Sequence, residues 1–156
     1  MSMLSTADLQ ERGIVLPTPA VAPGANYLPY TRQGDLIFTA GQVPWKDGKI
    51  QYIGKVGREF NVQQAYDAAR LCALNVVAHV NSAVKGDLDR VVQCLKLVGF
   101  INCVPEFVDL PTVTNGGSDV LVEIFGDRGR PARSSVGVSS LPFGVPVEFE
   151  AIFLVR

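Results

Sequence analysis

Histidine is almost absent from this chain: His79 is the only one among 156 residues. That excludes any site needing two histidines from one chain, such as a two-histidine zinc protease centre. Cysteine is nearly as scarce. Cys72, Cys94 and Cys103 lie far apart in apolar stretches. An odd, scattered set excludes a disulfide framework and predicts reduced, buried thiols in a cytoplasmic protein. No Cys/His pair has metal-ligand spacing, so no metal is expected. No run of 18 apolar residues occurs, so no membrane-spanning helix is expected. The amino terminus lacks a basic start followed by an apolar run, and no secretory leader is read there. Neither sign of charge dominates: 14 basic and 15 acidic residues give a net charge of −1. A chain so balanced is not expected to wrap duplex nucleic acid through many phosphate contacts.

What is present suits one globular domain, with 47% hydrophobic and 19% charged residues. Residues 5–12 predict a short helix, capped by Ser5 or Thr6 and ended by Gly13. Residues 16–25 hold three prolines and predict an extended connector. Residues 1–24 are therefore read as an extension, and 25–156 as the domain. Strands are expected over Tyr27–Arg32, Asp35–Ala40 and Ile50–Ile53. Residues 61–85 carry apolar side chains at three- and four-residue steps, with Asn61 as cap and Gly86 as stop, which predicts a long helix. Val91–Val104 is apolar at both parities and predicts a strand covered on both faces. Two helices on one side cannot supply both covers, so partner copies are expected to supply the second. A second helix starts near Asp109 and is expected to break or kink at Asn115-Gly116-Gly117, resuming through Asp119–Phe125. Ala132–Ser140 and Val147–Val155 alternate as strands, the latter with Glu148 and Glu150 on one face. The order predicts an α+β fold: a two-layer sandwich, one mixed sheet with two helices on one face.

Several positions carry chemistry. Arg133 sits on an expected strand in a small, apolar segment. It is either a solvated edge charge or an anchor whose planar fork holds a carboxylate. Glu148 and Glu150 are either an exposed polar face or a source of one glutamate in a cleft, able to take a proton from water. Tyr30, after Pro29, is either ordinary packing or an aromatic wall. Arg128 and Arg130 sit in a polar turn that matches no phosphate-binding fingerprint. The serines lack a nucleophile elbow.

Three blocks resemble the Rid family of reactive-intermediate imine deaminases (RidA/YjgF-like), also labelled the L-PSP endoribonuclease family. They are Pro131-Ala132-Arg133-Ser134-Ser135-Val136-Gly137-Val138, Leu141-Pro142, and Val147-Glu148-Phe149-Glu150-Ala151-Ile152. Pro29-Tyr30 and Phe38-Thr39-Ala40-Gly41-Gln42-Val43-Pro44 match the family's amino-terminal block. The likeness runs from about Ala25 to the end, and Thr114–Asp119 resembles a longer bacterial branch. It implies a chorismate-mutase-like fold, a homotrimer, clefts between neighbouring subunits, and no metal or cofactor. It also implies hydrolysis of 2-imino or enamine acids to 2-oxo acids and ammonia. Arg133 aligns with the family's arginine, Glu148 with its glutamate, Tyr30 with its pocket tyrosine and Gly41 with the glycine of its Ser-Gly-Gln motif. Three positions depart from the pattern. Ala40 replaces the motif's serine, Ser135 replaces a cysteine, and Asn115 is displaced by one residue from the family's asparagine. The resemblance makes Arg133 and Glu148 the catalytic candidates, with Tyr30, Gly41, Asn115 and Ser135 as substrate-binding candidates. Two other readings stand beside it: a trimer that binds a small carboxylate without turnover, and an endoribonuclease. Balanced charge and a single histidine weigh against the last.

Overall fold

The computed structural model describes residues 4–20 and 24–156. Helix α1 (Thr6–Glu11) starts at Ser5, whose side chain and that of Asp8 close a reciprocal cap. The segment is tied to the rest of the chain by a backbone bond from Leu88 N to Leu4 O and by Leu4 N donating to Asp89 Oδ2. Leu9 and Ile14 are buried in the core. Strands β1 (Tyr30–Gln33) and β2 (Leu36–Thr39) form a hairpin, each shorter than its sequence run. The strand expected over Ile50–Ile53 does not form: only Ile50 is in a strand, at the end of a small hairpin of β3 (Trp45–Lys46) and β4 (Lys49–Ile50), and the chain leaves the pairing at Gln51.

The long helix α2 (Val62–Ala83) matches its periodicity closely. Asn61 and Gln64 cap it reciprocally. Its inward stripe of Ala65, Ala69, Cys72, Ala73, Val76, Val77 and Val80 is fully buried. Strand β5 (Val91–Asn102) follows, then α3 (Leu110–Phe125), β6 (Ala132–Val138) and β7 (Val147–Val155). The five-stranded sheet runs β1-β2-β7-β5-β6, with β5 and β6 parallel and the other pairs antiparallel. Helices α2 and α3 pack against one face, which gives the mixed α+β architecture expected from the element order.

The expected break in α3 does not occur: the helix runs unbroken through Gly116 and Gly117. The glycines are there for close approach. A Cβ on Gly116 would stand 2.2 Å from the Tyr66 carbonyl oxygen of α2. One on Gly117 would stand 1.9 Å from the Phe149 ring. Packing against α2 and β7 outweighs the roughly 1 kcal/mol of helix propensity that each glycine forgoes.

Within one chain only one face of strand β5 is covered, and the other is the face for which the sequence predicts partner copies. Leu97 and Ile101 are fully buried beneath the helices. The opposite face of the sheet is open, with Phe38 40% exposed, Leu95 39% and Val136 41%.

Candidate functional site

Parallel pairing of β6 with β5 sets Arg133 opposite Leu97, so both point to the helix-covered face. The guanidinium meets α3 there. Its Nη1 donates to Asn115 Oδ1 at 2.7 Å and to Ser118 Oγ at 2.9 Å. Its Nη2 leans on the Pro111 carbonyl at 3.4 Å. All three acceptors are uncharged. The ion pairs among the described residues are Arg58–Glu59, Arg70–Glu123, Arg128–Asp89 and Arg130–Asp127, and Arg133 belongs to none of them. Its positive charge is thus oriented by the fold and not neutralised by it. Ser135, two residues along the same face of β6, is half-buried. Arg128 and Arg130, read as loop charges, are occupied by Val91 O and Asp127.

Glu148 stands elsewhere. Antiparallel pairing of β7 with β5 sets it opposite Phe100, on the open face. Val147, Phe149, Ala151 and Phe153 take the buried side, as the alternation predicts. Just beyond β2, the chain is pinned to β7 by Gln42 N donating to Phe149 O at 2.7 Å and Phe149 N to Gln42 O at 3.0 Å. That bridge brings Gly41 against Glu148. A Cβ on Gly41 would lie 1.9 Å from Glu148 Oε1, so the carboxylate fills the space a side chain would need. Burial raises the Glu148 carboxyl above its ordinary pKa, and the charge of Glu150 raises it further. Tyr30 opens β1 opposite Thr39 and packs half-buried against the core.

The sequence-derived residues therefore fall into two groups. Arg133 and Asn115 are bonded, with Ser135 on the same strand face. Gly41 and Glu148 are in contact. The sheet itself separates Arg133 from Glu148, because they project from opposite faces. A depression of about 250 Å³ on the open face is lined by Phe38, Lys96, Val98, Glu150 and Ile152, and includes neither Arg133 nor Glu148. Ser118 and the Pro111 carbonyl escaped the sequence reading. The signal for Ser118 was its place three residues after Asn115, on the same helix face. The expected break between them hid it.

Burial also governs the three thiols and the histidine. Burial pushes the Cys94 thiol up to about 12 and raises Cys72 and Cys103 as well, so these thiols are poor nucleophiles. His79 is buried within α2, and burial lowers its pKa. No cluster of metal-ligating side chains exists among the described residues. No helix among them is long and apolar enough to cross a membrane.

Comparison with known proteins gives a consistent result. Residues 6–146 match the family described as "YjgF/chorismate_mutase-like, putative endoribonuclease". The chain is 43% identical over 147 residues to Protein TCP17 of Trypanosoma cruzi, covering 94% of this chain and 91% of that one. The crystal structure of the protein Atu1372 from Agrobacterium tumefaciens superposes with a TM-score of 0.90 at 42% identity, covering 98% of this chain and 93% of that one. Escherichia coli TdcF, crystallised with bound serine, superposes with a TM-score of 0.61 at 28% identity, covering 90% of this chain and 94% of that one.

Proposed function

Because this chain belongs to the YjgF/RidA-like family, we propose that it hydrolyses small reactive 2-imino or enamine acids to 2-oxo acids and ammonia. The observation that carries this reading is the state of Arg133. Three neutral oxygens hold the guanidinium, and no carboxylate of the described residues pairs with it. Such a group is prepared for an anionic ligand. The serine bound by TdcF is a small carboxylate, which agrees with a carboxylate anchor in this fold.

Catalysis requires Arg133 and Glu148 to face one ligand, and one chain keeps them apart. We therefore place the site between neighbouring copies of a homotrimer, with Arg133 from one copy and Glu148 from the next. The uncovered apolar face around Phe38, Leu95 and Val136 is the surface that such assembly would bury. In the cleft, Arg133 grips the substrate carboxylate. Glu148, made a stronger base by its raised pKa, takes a proton from water. The water oxygen bonds to the imine carbon, the C=N π pair moves to nitrogen, and nitrogen takes the proton held by Glu148. Glu148 then takes the hydroxyl proton of the resulting carbinolamine and delivers it to nitrogen as the C–N bond breaks, so the C=O of the 2-oxo acid forms and ammonia leaves. Fixing water and imine together removes much of the entropic barrier. Gly41 keeps room for the carboxylate, Tyr30 walls the pocket, and Asn115 and Ser135 line the side that carries the anchor. No cofactor is needed for these steps.

The decisive experiment is complementation. Arg133→Ala and Glu148→Gln are each expected to lose clearance of imines generated by an amino-acid oxidase. Co-refolded in equal amounts, they should regain about a quarter of wild-type activity, the share of interfaces that pair an intact Arg133 with an intact Glu148. No recovery from the mixture would refute the shared site, and unchanged imine clearance in Arg133→Ala would refute the anchor.

Binding without turnover is the second reading, favoured by the bound serine of TdcF. Calorimetry that detects pyruvate binding, in a protein that leaves imine decay unaccelerated, would select it.

A further inference from the structure

We propose that Ser118 is a positioning residue for Arg133. Together with Asn115, it turns the guanidinium so that a ligand carboxylate docks side-on, across Nε–H and the adjacent N–H of Nη2. This rests on the reading of Arg133 as a carboxylate anchor.

The argument is a count of donors. A guanidinium has five N–H groups. Both of those on Nη1 are taken, by Asn115 Oδ1 at 2.7 Å and Ser118 Oγ at 2.9 Å. Nη2 leans toward Pro111 O at 3.4 Å, a contact the proposal assigns to its hydrogen on the Nη1 side. Nε–H has no partner among the described residues. The two donors left over, Nε–H and its neighbour on Nη2, form a parallel pair that matches the two oxygens of a carboxylate. The end-on fork of Nη1 with Nη2 is closed.

A hydroxyl fits position 118 for a specific reason. Ser118 Oγ lies 3.5 Å from the Thr114 carbonyl, which gives its own hydrogen a direction. Its lone pairs are then left for Nη1 of Arg133. Ser118 reaches the guanidinium because α3 stays helical through Gly116 and Gly117, which places Ser118 one turn beyond Asn115. Alanine at 118 would leave an Nη1 hydrogen unpaired and free the arginine to swing. The neutrality of both holders matters equally, since a carboxylate there would compete with the ligand for the charge.

The test uses the assembled full-length protein, with pyruvate as the calorimetric probe and oxidase-generated imine as substrate. Ser118→Ala should weaken pyruvate binding about 10-fold, the value of one hydrogen bond to a charged group. KM should rise by a similar factor with kcat nearly unchanged, and Ser118→Thr should restore both. Asn115→Asp keeps an acceptor on Nη1 but adds a negative charge, and should weaken pyruvate binding at least as much as Ser118→Ala. Wild-type affinity in either Ser118→Ala or Asn115→Asp overturns the inference, and Asn115→Asp decides the matter alone if the alanine variant folds poorly. Undiminished pyruvate binding in Arg133→Ala overturns the anchor itself. Loss in Arg133→Ala with no change in Ser118→Ala overturns only the positioning role.

Discussion

Glu150 stands two residues from Glu148 on the same face of β7, and its charge adds to burial in raising the Glu148 carboxyl. Removing that charge should make Glu148 easier to ionise. Glu150→Gln is expected to move the acidic limb of the pH–rate profile for imine clearance to lower pH. A limb that stays in place would mean that another group limits the rate.

The same shift has a consequence for stability. The folded chain holds the Glu148 proton more tightly than the unfolded chain does. The stabilising contribution is therefore full below the ordinary glutamate pKa and is lost as pH rises through the raised one. Glu148→Gln should raise the melting temperature at pH 7 relative to wild type and leave it nearly unchanged at pH 4. Equal gains at both values would contradict the assignment.

Gly41→Ala tests the contact with Glu148 directly. The added Cβ would overlap a carboxylate oxygen, and the flexible end of Glu148 can swing away. Imine clearance should fall roughly 10-fold or more, the scale at which a displaced general base is felt. Global unfolding in denaturant should change little. Wild-type rates in Gly41→Ala would separate Glu148 from the chemistry.

The glycine pair in α3 reverses the usual helix rule. Alanine is favoured over glycine by about 1 kcal/mol in a helix interior. Gly116→Ala and Gly117→Ala should nonetheless destabilise the protein, because overpacking costs about 1–3 kcal/mol. Gly116→Ala should be the worse of the two, since it meets the backbone of α2 rather than a ring that can tilt. Denaturant midpoints above wild type for either variant would contradict the packing argument.

Much of this architecture is legible in the residue order. The alternation of Val147–Val155 and the steps of Val62–Ala83 each fix which side faces the core, because burial imposes a period on one chain segment at a time. What stays hidden depends on two segments at once. Local propensity reads Gly116-Gly117 as a break, and only the approach of Tyr66 and Phe149 explains them as contact points. Arg133 and Glu148 are legible as residue types in a familiar order. Their opposite faces follow from a register with β5, and register is set by pairing rather than by composition. Ser118 stays hidden for the same reason, because only an unbroken α3 carries it to the guanidinium.

The oxygens that hold Arg133 belong to an amide, a hydroxyl and a peptide group, none of which gains or loses a proton in water near neutrality. Docking of an acidic metabolite is then indifferent to moderate acidity, while proton abstraction is not. Under the proposed function, a souring medium would therefore spare capture of the ligand and halt its conversion.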